Sequence, residues 1–319
     1  MRTGEPGSPP HAGGCGPSAA PNGTTPMDDD LFNSEFLQRL EYLRVVARRI
    51  FAGSAPGSRT GRRAGPGLEF AEHRAYAPGD DFRHIDWAAY GRLEKLLLRL
   101  CQQEDDLAIY FLVDASASMA TGRPAKFDHA RRLAAALAYV GLASLERVRL
   151  VAVDGGVRAH LEAGRGKSHI LGVLDFLRGL APGERTDLAR AVEAFLPHAP
   201  QTGLVVLVSD LLDPAGYEKS FLTLQGQGFD VWCLHVTDPE DLAPPALGDL
   251  AVSDAETGEV LGVHLTDEAR ARLAREAERF KAEVQAWCLS RGIGYAEAPT
   301  HTPVDTLVLE VLRRGGFLR

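Results

Sequence analysis

Residues 107–120 read LAIYFLVDASASMA, and the fold turns on how this stretch is taken. The unbroken apolar run from Leu107 to Val113 is the pattern of a strand buried on both faces of a parallel sheet. It empties into Asp114, Ser116 and Ser118 at alternate positions. One carboxylate and two hydroxyls, all hard oxygen donors, are thereby gathered where a strand ends. Mg2+ (or Mn2+), which takes octahedral oxygen coordination, suits such a cluster if other loops supply further ligands.

Outward from this strand, buried apolar runs alternate with helical stretches, the signature of an α/β fold with a mostly parallel sheet and helices on both faces. Strands are expected at 107–113, 148–153, 204–209, 229–236 and 293–297. Helices are expected at 126–146, 168–179, 187–197, 215–226 and 267–290, the last capped by Thr266 and closed at Gly292. Residues 249–264, with turn-like Glu256-Thr257-Gly258, read as a β-hairpin insertion, and Asp154 before Gly155-Gly156 reads as a hairpin turn. In such sheets ligands collect outside the carboxyl ends of the strands. The strand GLVVLVS ends in Asp210, and Thr186 stands on a loop before a helix, so both reach the edge where Asp114 lies. The candidate metal set is Asp114, Ser116, Ser118, Thr186 and Asp210.

Before this domain, Phe36, Leu40, Leu43 and Ile50 recur at helical spacing between Leu31 and Phe51. Arg44, Arg48 and Arg49 read as the solvated side of that helix. A Gly/Ser/Pro/Arg linker at 52–67 leads into LEFAEHRAYAPGDDFRHIDW, where Pro78-Gly79 is expected to turn between two short extended pieces. The predicted organisation is a disordered leader at 1–30, a helix and small β-rich segment at 31–106, and the α/β domain at 107–319. The leader carries Gly or Pro at 12 of its 30 positions, and Met27 is a candidate start.

Composition excludes several classes. The chain has 319 residues, 45% hydrophobic and 24% charged, and a net charge of −8, which argues against a general nucleic-acid binder. The four cysteines are scattered, without zinc spacing or disulfide density, and fit a reducing cytoplasmic setting. No apolar run reaches the roughly 18 residues of a membrane span.

The five-residue set resembles the von Willebrand factor A fold with its metal-ion-dependent adhesion site, a Rossmann-like domain. That resemblance implies direct ligation by Ser116 and Ser118, direct or water-mediated roles for Asp114 and Asp210, and a conformation-dependent role for Thr186. A partner's carboxylate completes the octahedron. The resemblance narrows with Gly65-Pro66-Gly67-Leu68-Glu69-Phe70, Arg74-x-Tyr76-x-Pro78-Gly79-Asp80-Asp81-x-Arg83-x-Ile85-Asp86-Trp87 and Arg92. With Ser209-Asp210-Leu211-Leu212, Thr237-Asp238-Pro239 and Asp254-x-Glu256-Thr257-Gly258, these are similar to the family catalogued as domain of unknown function 58, from about residue 31 to the end. That family implies a bacterial cytoplasmic protein working beside a MoxR-type AAA+ ATPase in client remodelling or maturation.

Other readings of the same residues stand beside this one. Asp and Ser at a strand end also cap helices. Asp80, Asp81 and Asp86 form either a second acidic site or, with Arg74, Arg83 and Trp87, the turn bonds and ion pairs that pin the segment. Gly166-Lys167-Ser168 imitates the end of a P-loop, but Leu161 stands where the first Gly is required. No Gly-x-Ser-x-Gly elbow surrounds Ser116 or Ser118. The enzymatic alternative is a Mg2+-dependent hydrolase or phosphatase with Asp114 as nucleophile, although such phosphatases usually carry a second Asp where Ser116 stands. The expectation is a metal-dependent protein-binding module rather than an enzyme, with a metal-free scaffold as the third possibility.

Overall fold

The computed structural model describes residues 31–53, 69–77, 80, 82–102, 107–122, 125–183, 185–239 and 247–314. The expected leader, linker and Pro78-Gly79 turn, with Gly79 and Asp81, lie outside the described residues.

The apolar run of the opening stretch is β3 (Ala108–Asp114), buried along its whole length. Ile109, Phe111 and Val113 enter one core, while Ala108, Tyr110 and Leu112 enter another on the opposite face. That double burial explains the absence of alternation. β4 (Arg147–Val153), β6 (Leu204–Ser209), β7 (Asp230–Thr237) and β10 (Gly294–Pro299) run parallel with it; β5 (Val157–Gly164) closes one edge antiparallel to β4. The order is β10-β7-β6-β3-β4-β5. From β3 the chain builds outward to β4 and β5, then returns to β6 on the other side. The carboxyl ends of β3 and β6 therefore meet at the topological switch point, where open α/β sheets hold ligands.

Against one face pack α3 (Lys126–Ala143), α4 (Ile170–Arg178) and α8 (Val304–Arg314); against the other pack α5 (Leu188–Phe195), α6 (Glu218–Gly226) and α7 (Asp267–Ser290). The Ala-rich stretch after residue 132 is the middle of α3, buried nearly all round between the sheet and other helices. Small side chains permit that sandwiching. α7 starts on Thr266, whose hydroxyl accepts from Ala269 N at 3.1 Å. Cys233 and Cys288, far apart in sequence, meet between β7 and α7, and burial raises the Cys233 thiol.

The N-terminal helix α1 (Ser34–Gly53) is no separate unit: Phe32, Leu40 and Leu43 join the same core as α3 and α8. Tyr139 donates to Glu41, and Arg132 Nε donates to Leu31 O at 3.0 Å.

The segment after β1 (Glu69–Ala75) departs from expectation. Its partner is β2 (Leu97–Gln102), antiparallel, and between them come a 3-10 turn at Phe82–His84 and a short helix, α2 (Trp87–Leu93). Two extended pieces joined directly at Pro78-Gly79 are thus replaced by a ribbon with a helical insert. The cause is local capping: Asp86 accepts from Ala89 N at 2.9 Å and starts α2 within residues read as extended. Asp86 also meets His73 Nε2 at 2.8 Å, while Asp80 accepts from Arg74 Nη2 at 2.7 Å and Ala77 N at 2.8 Å. These bonds hold its carboxyl, like that of Asp86, below the usual range. Tyr76 N donates to Leu96 O at 2.9 Å, Trp87 stands exposed against Tyr90, and Arg83 is exposed.

The insertion is the hairpin β8 (Gly248–Ser253) and β9 (Val260–Leu265), a two-stranded sheet outside the six-stranded ladder. The hairpin turn expected at Asp154-Gly155-Gly156 joins β4 to β5, although no strand was assigned there from the sequence, and α8 was not anticipated.

Candidate metal centre

Asp114 is the last residue of β3 and is fully buried. Its Oδ1 accepts from Ser116 N at 2.9 Å, a turn bond that sets the chain's exit from the strand. Its Oδ2 accepts from the hydroxyl of Ser209, the last residue of β6, at 2.5 Å. Ser116 Oγ and Ser118 Oγ lie 3.0 Å apart, with Ser116 fully buried and Ser118 nearly so.

Asp210 follows β6 directly and is 3% exposed. Its Oδ1 accepts from Leu212 N at 3.2 Å, and its Oδ2 from Lys126 Nζ at 2.8 Å. The lysine side chain is 1% exposed, so this is a buried ion pair. Between the aspartate and Leu212, Leu211 adopts φ 58, a left-handed conformation unusual for so bulky a residue, and donates its N–H to Ser209 Oγ at 2.9 Å. Backbone strain of this kind gathers at functional sites.

Thr186, 7% exposed, is carried on the loop before α5. That loop is tied to the β3 exit, Gly183 N donating to Ala115 O at 2.5 Å, and to the β6 exit, Leu188 N donating to Asp213 Oδ2 at 2.7 Å. The contact of Thr186 itself comes from elsewhere: its N and Oγ1 donate to Glu256 Oε1, at 3.1 and 2.5 Å, from the β8–β9 turn.

The structure thus draws Asp114, Ser116, Ser118 and Asp210 to one buried spot, with Thr186 on a loop bonded to both strand exits. Sequence reasoning missed three residues of this site. Ser209 was visible as the residue before Asp210, and Glu256 within its Asp-x-Glu-Thr-Gly run. Lys126 gave no signal, because a lysine at a helix start is ordinarily solvated.

Electrostatics complete the picture. Burial first, and then the charge of Asp210, push the Asp114 carboxyl well above its usual range. The buried carboxyls of Asp114 and Asp210 stand together, and the Lys126 ammonium pairs with Asp210. Among the described residues no three His, Cys, Asp or Glu side chains gather as a metal cluster. A cation here relies on hydroxyls, and the converging serine oxygens with two flanking carboxylates fit a hard divalent ion.

The strand order and the antiparallel edge strand are those of a von Willebrand factor A-like, Rossmann-like α/β domain. The model of the protein family of unknown function DUF58 matches residues 72–283, and the chain belongs to that family. Among relatives, an uncharacterised protein of Mycobacterium tuberculosis is 28% identical over 260 residues, 80% of this chain and 82% of its own length. An uncharacterised Mycobacterium avium protein is 30% identical over 102 residues, 32% of this chain and 60% of its own. Solved structures similar to the chain include the conserved hypothetical protein BatB from Bacteroides thetaiotaomicron, with TM-score 0.41 and 14% identity, covering 65% of this chain and 98% of that one. Proximal thread matrix protein 1 of the mussel byssus, solved with zinc in its MIDAS motif, gives TM-score 0.38 and 13% identity, covering 66% and 45%. Among the described residues no helix is long and apolar enough to cross a membrane.

Proposed function

We propose that this protein is a metal-dependent protein-interaction module, with Mg2+ (or Mn2+) held by Asp114, Ser116, Ser118 and Asp210 and, in one conformation, by Thr186. The observation that carries this reading is the buried convergence of two carboxyls and two serine hydroxyls at the β3/β6 switch point. A bound divalent ion would supply positive charge exceeding what its partly neutral donors offset, and so attract a carboxylate from a partner protein. The chain's own residues prepare the place. Ser209 and the Ser116 N–H orient Asp114, Lys126 holds Asp210, and the loop bond from Gly183 to Ala115 positions Thr186.

We infer grip rather than catalysis, because Asp114 makes a poor nucleophile. Both its oxygens accept hydrogen bonds and it is fully buried, so neither oxygen is free to attack a substrate. On the family resemblance we further propose a cytoplasmic accessory role, with a MoxR-type AAA+ ATPase as working partner in client remodelling.

Capture from a host lysate, with Mg2+ and with a chelator, tests the reading alongside Ser116→Ala. The expected outcome is a partner set containing an AAA+ ATPase that vanishes with chelator and in the variant. Retention under both conditions contradicts metal-dependent grip. Release of phosphate from a generic ester by the wild-type protein, absent in Asp114→Asn, would instead favour the hydrolase.

A further inference from the structure

Thr186 does not face solvent with empty hands. One oxygen of Glu256, 70 residues away, takes both its backbone N–H and its hydroxyl. The turn that delivers this carboxylate is firmly made. Asp254 Oδ1 accepts from Glu256 N at 2.8 Å and Thr257 N at 2.9 Å, Asp254 N donates to Glu259 O, and Gly258 takes φ 70. Such Asx-type geometry fixes where Glu256 points.

The hairpin that bears the turn is loosely held by comparison. Among the described residues it forms a sheet apart from the six-stranded one, and Val252, Val260 and Leu261 are about half to two-thirds exposed (49%, 63% and 64%). A lone two-stranded hairpin is marginally stable in water, so swinging it aside disturbs little of the core. The turn is also held by charge: after the backbone bonds from Thr257 and Glu256, Arg185, next to Thr186, lies close enough to Asp254 to help hold its carboxyl below the usual range.

We propose that Glu256, presented by the β8–β9 turn, is the chain's own occupant of the position that a partner's carboxylate takes, and that a partner engages the site by displacing this turn. The inference rests on the metal-dependent reading above and deepens it. The partner's contribution is an acidic side chain, best a glutamate on an exposed turn, and the resting protein is self-capped.

Mn2+ serves as the probe, because water relaxation reports how many waters a bound ion keeps. Full-length wild-type protein and Glu256→Gln are each titrated with Mn2+, then with acetate as a free carboxylate. Gln at this position still accepts from Thr186, so the hairpin stays in place. Expected are Mn2+ binding by both proteins, about tenfold weaker in the variant, with relaxivity per bound ion higher by about one water's contribution. Acetate should lower relaxivity in the variant alone. Deuterium uptake across 248–265 should slow several-fold on Mn2+ addition in the wild type but not in Glu256→Gln. Mn2+ binding with the same relaxivity, acetate response and hairpin exchange in both proteins overturns the proposal and leaves the metal reading standing, Glu256 being then a hairpin staple. No Mn2+ binding by either overturns both.

Discussion

The β3 and β6 exits and the Thr186–Glu256 side of the site serve the same strand-end face, yet they are built to different standards. At the exits every candidate donor is buried, and its bonds run over two residues, between the two strands, as from Ser209 to Asp114, or to the buried Lys126 at the start of α3. On the other side the donor sits on a loop, and its partner comes from an exposed hairpin outside the main sheet. The strand-end half is bound into the core, whereas the hairpin half is exposed and tied on through Glu256. On the proposed reading the rigid half would hold the ion and the soft half would change partner, since tight and fixed ligation on all sides would leave nothing to release.

The largest effect that would sharpen this contrast lies in the buried half. Asp210→Ala removes the carboxylate from Lys126 and should destabilise the fold by about 3 kcal/mol in urea unfolding. The double variant Lys126→Met/Asp210→Asn, which removes both charges, should recover most of that loss. Equal destabilisation by the two would mean that the pair is not the cause.

Two glycines carry the same comparison into the backbone. A Cβ at Gly203, just before β6, would sit 2.1 Å from Ala108 O, so Gly203→Ala should cost about 2 kcal/mol of global stability. Gly258→Ala places a side chain at φ 70 in the hairpin turn and should speed amide exchange in 248–265 while leaving the urea midpoint unmoved. A global loss in Gly258→Ala would show the hairpin to be part of the core, against the division drawn here.

A smaller, pH-linked effect follows from His129 on α3. Burial first, then Arg132 and His301 beside it, push His129 down to about 4. The unfolded chain, with an ordinary histidine near 6.5, binds the proton more readily than the folded one below that pH. Stability is therefore full above about 6.5 and falls as pH drops toward 4, by about 2 kcal/mol between pH 7 and 5. His129→Gln should remove that share of the pH slope in urea titrations at the two values.

The rigid half was also the legible half. The apolar run into Asp114 specified β3 and its burial on two faces, and GLVVLVS specified β6. Hydrophobic period and strand-end chemistry are local, and the switch-point rule joins them without coordinates. β5 escaped because an edge strand exposes alternate residues, here Arg158, His160 and Glu162, so no apolar run marks it. α8 was readable from Val304, Leu307, Val308, Val311 and Leu312, at helical spacing that buries four of the five, and was overlooked. Lys126–Asp210 and Thr186–Glu256 span 84 and 70 residues and follow no period, so only the folded chain reveals them. The helix cap at Asp86, which put α2 where an extended piece was expected, belongs to the intermediate case: the residue was noticed, but its competing roles were not separable by pattern.

Calorimetric titration of Mg2+ into the wild-type protein and Ser116→Ala, with urea unfolding of each, tests the central claim most directly. Expected are one site per chain in the wild type and loss of that binding in the variant, with an unfolding midpoint in the absence of metal that barely moves. No binding by the wild type, or equal binding by both proteins, would contradict it.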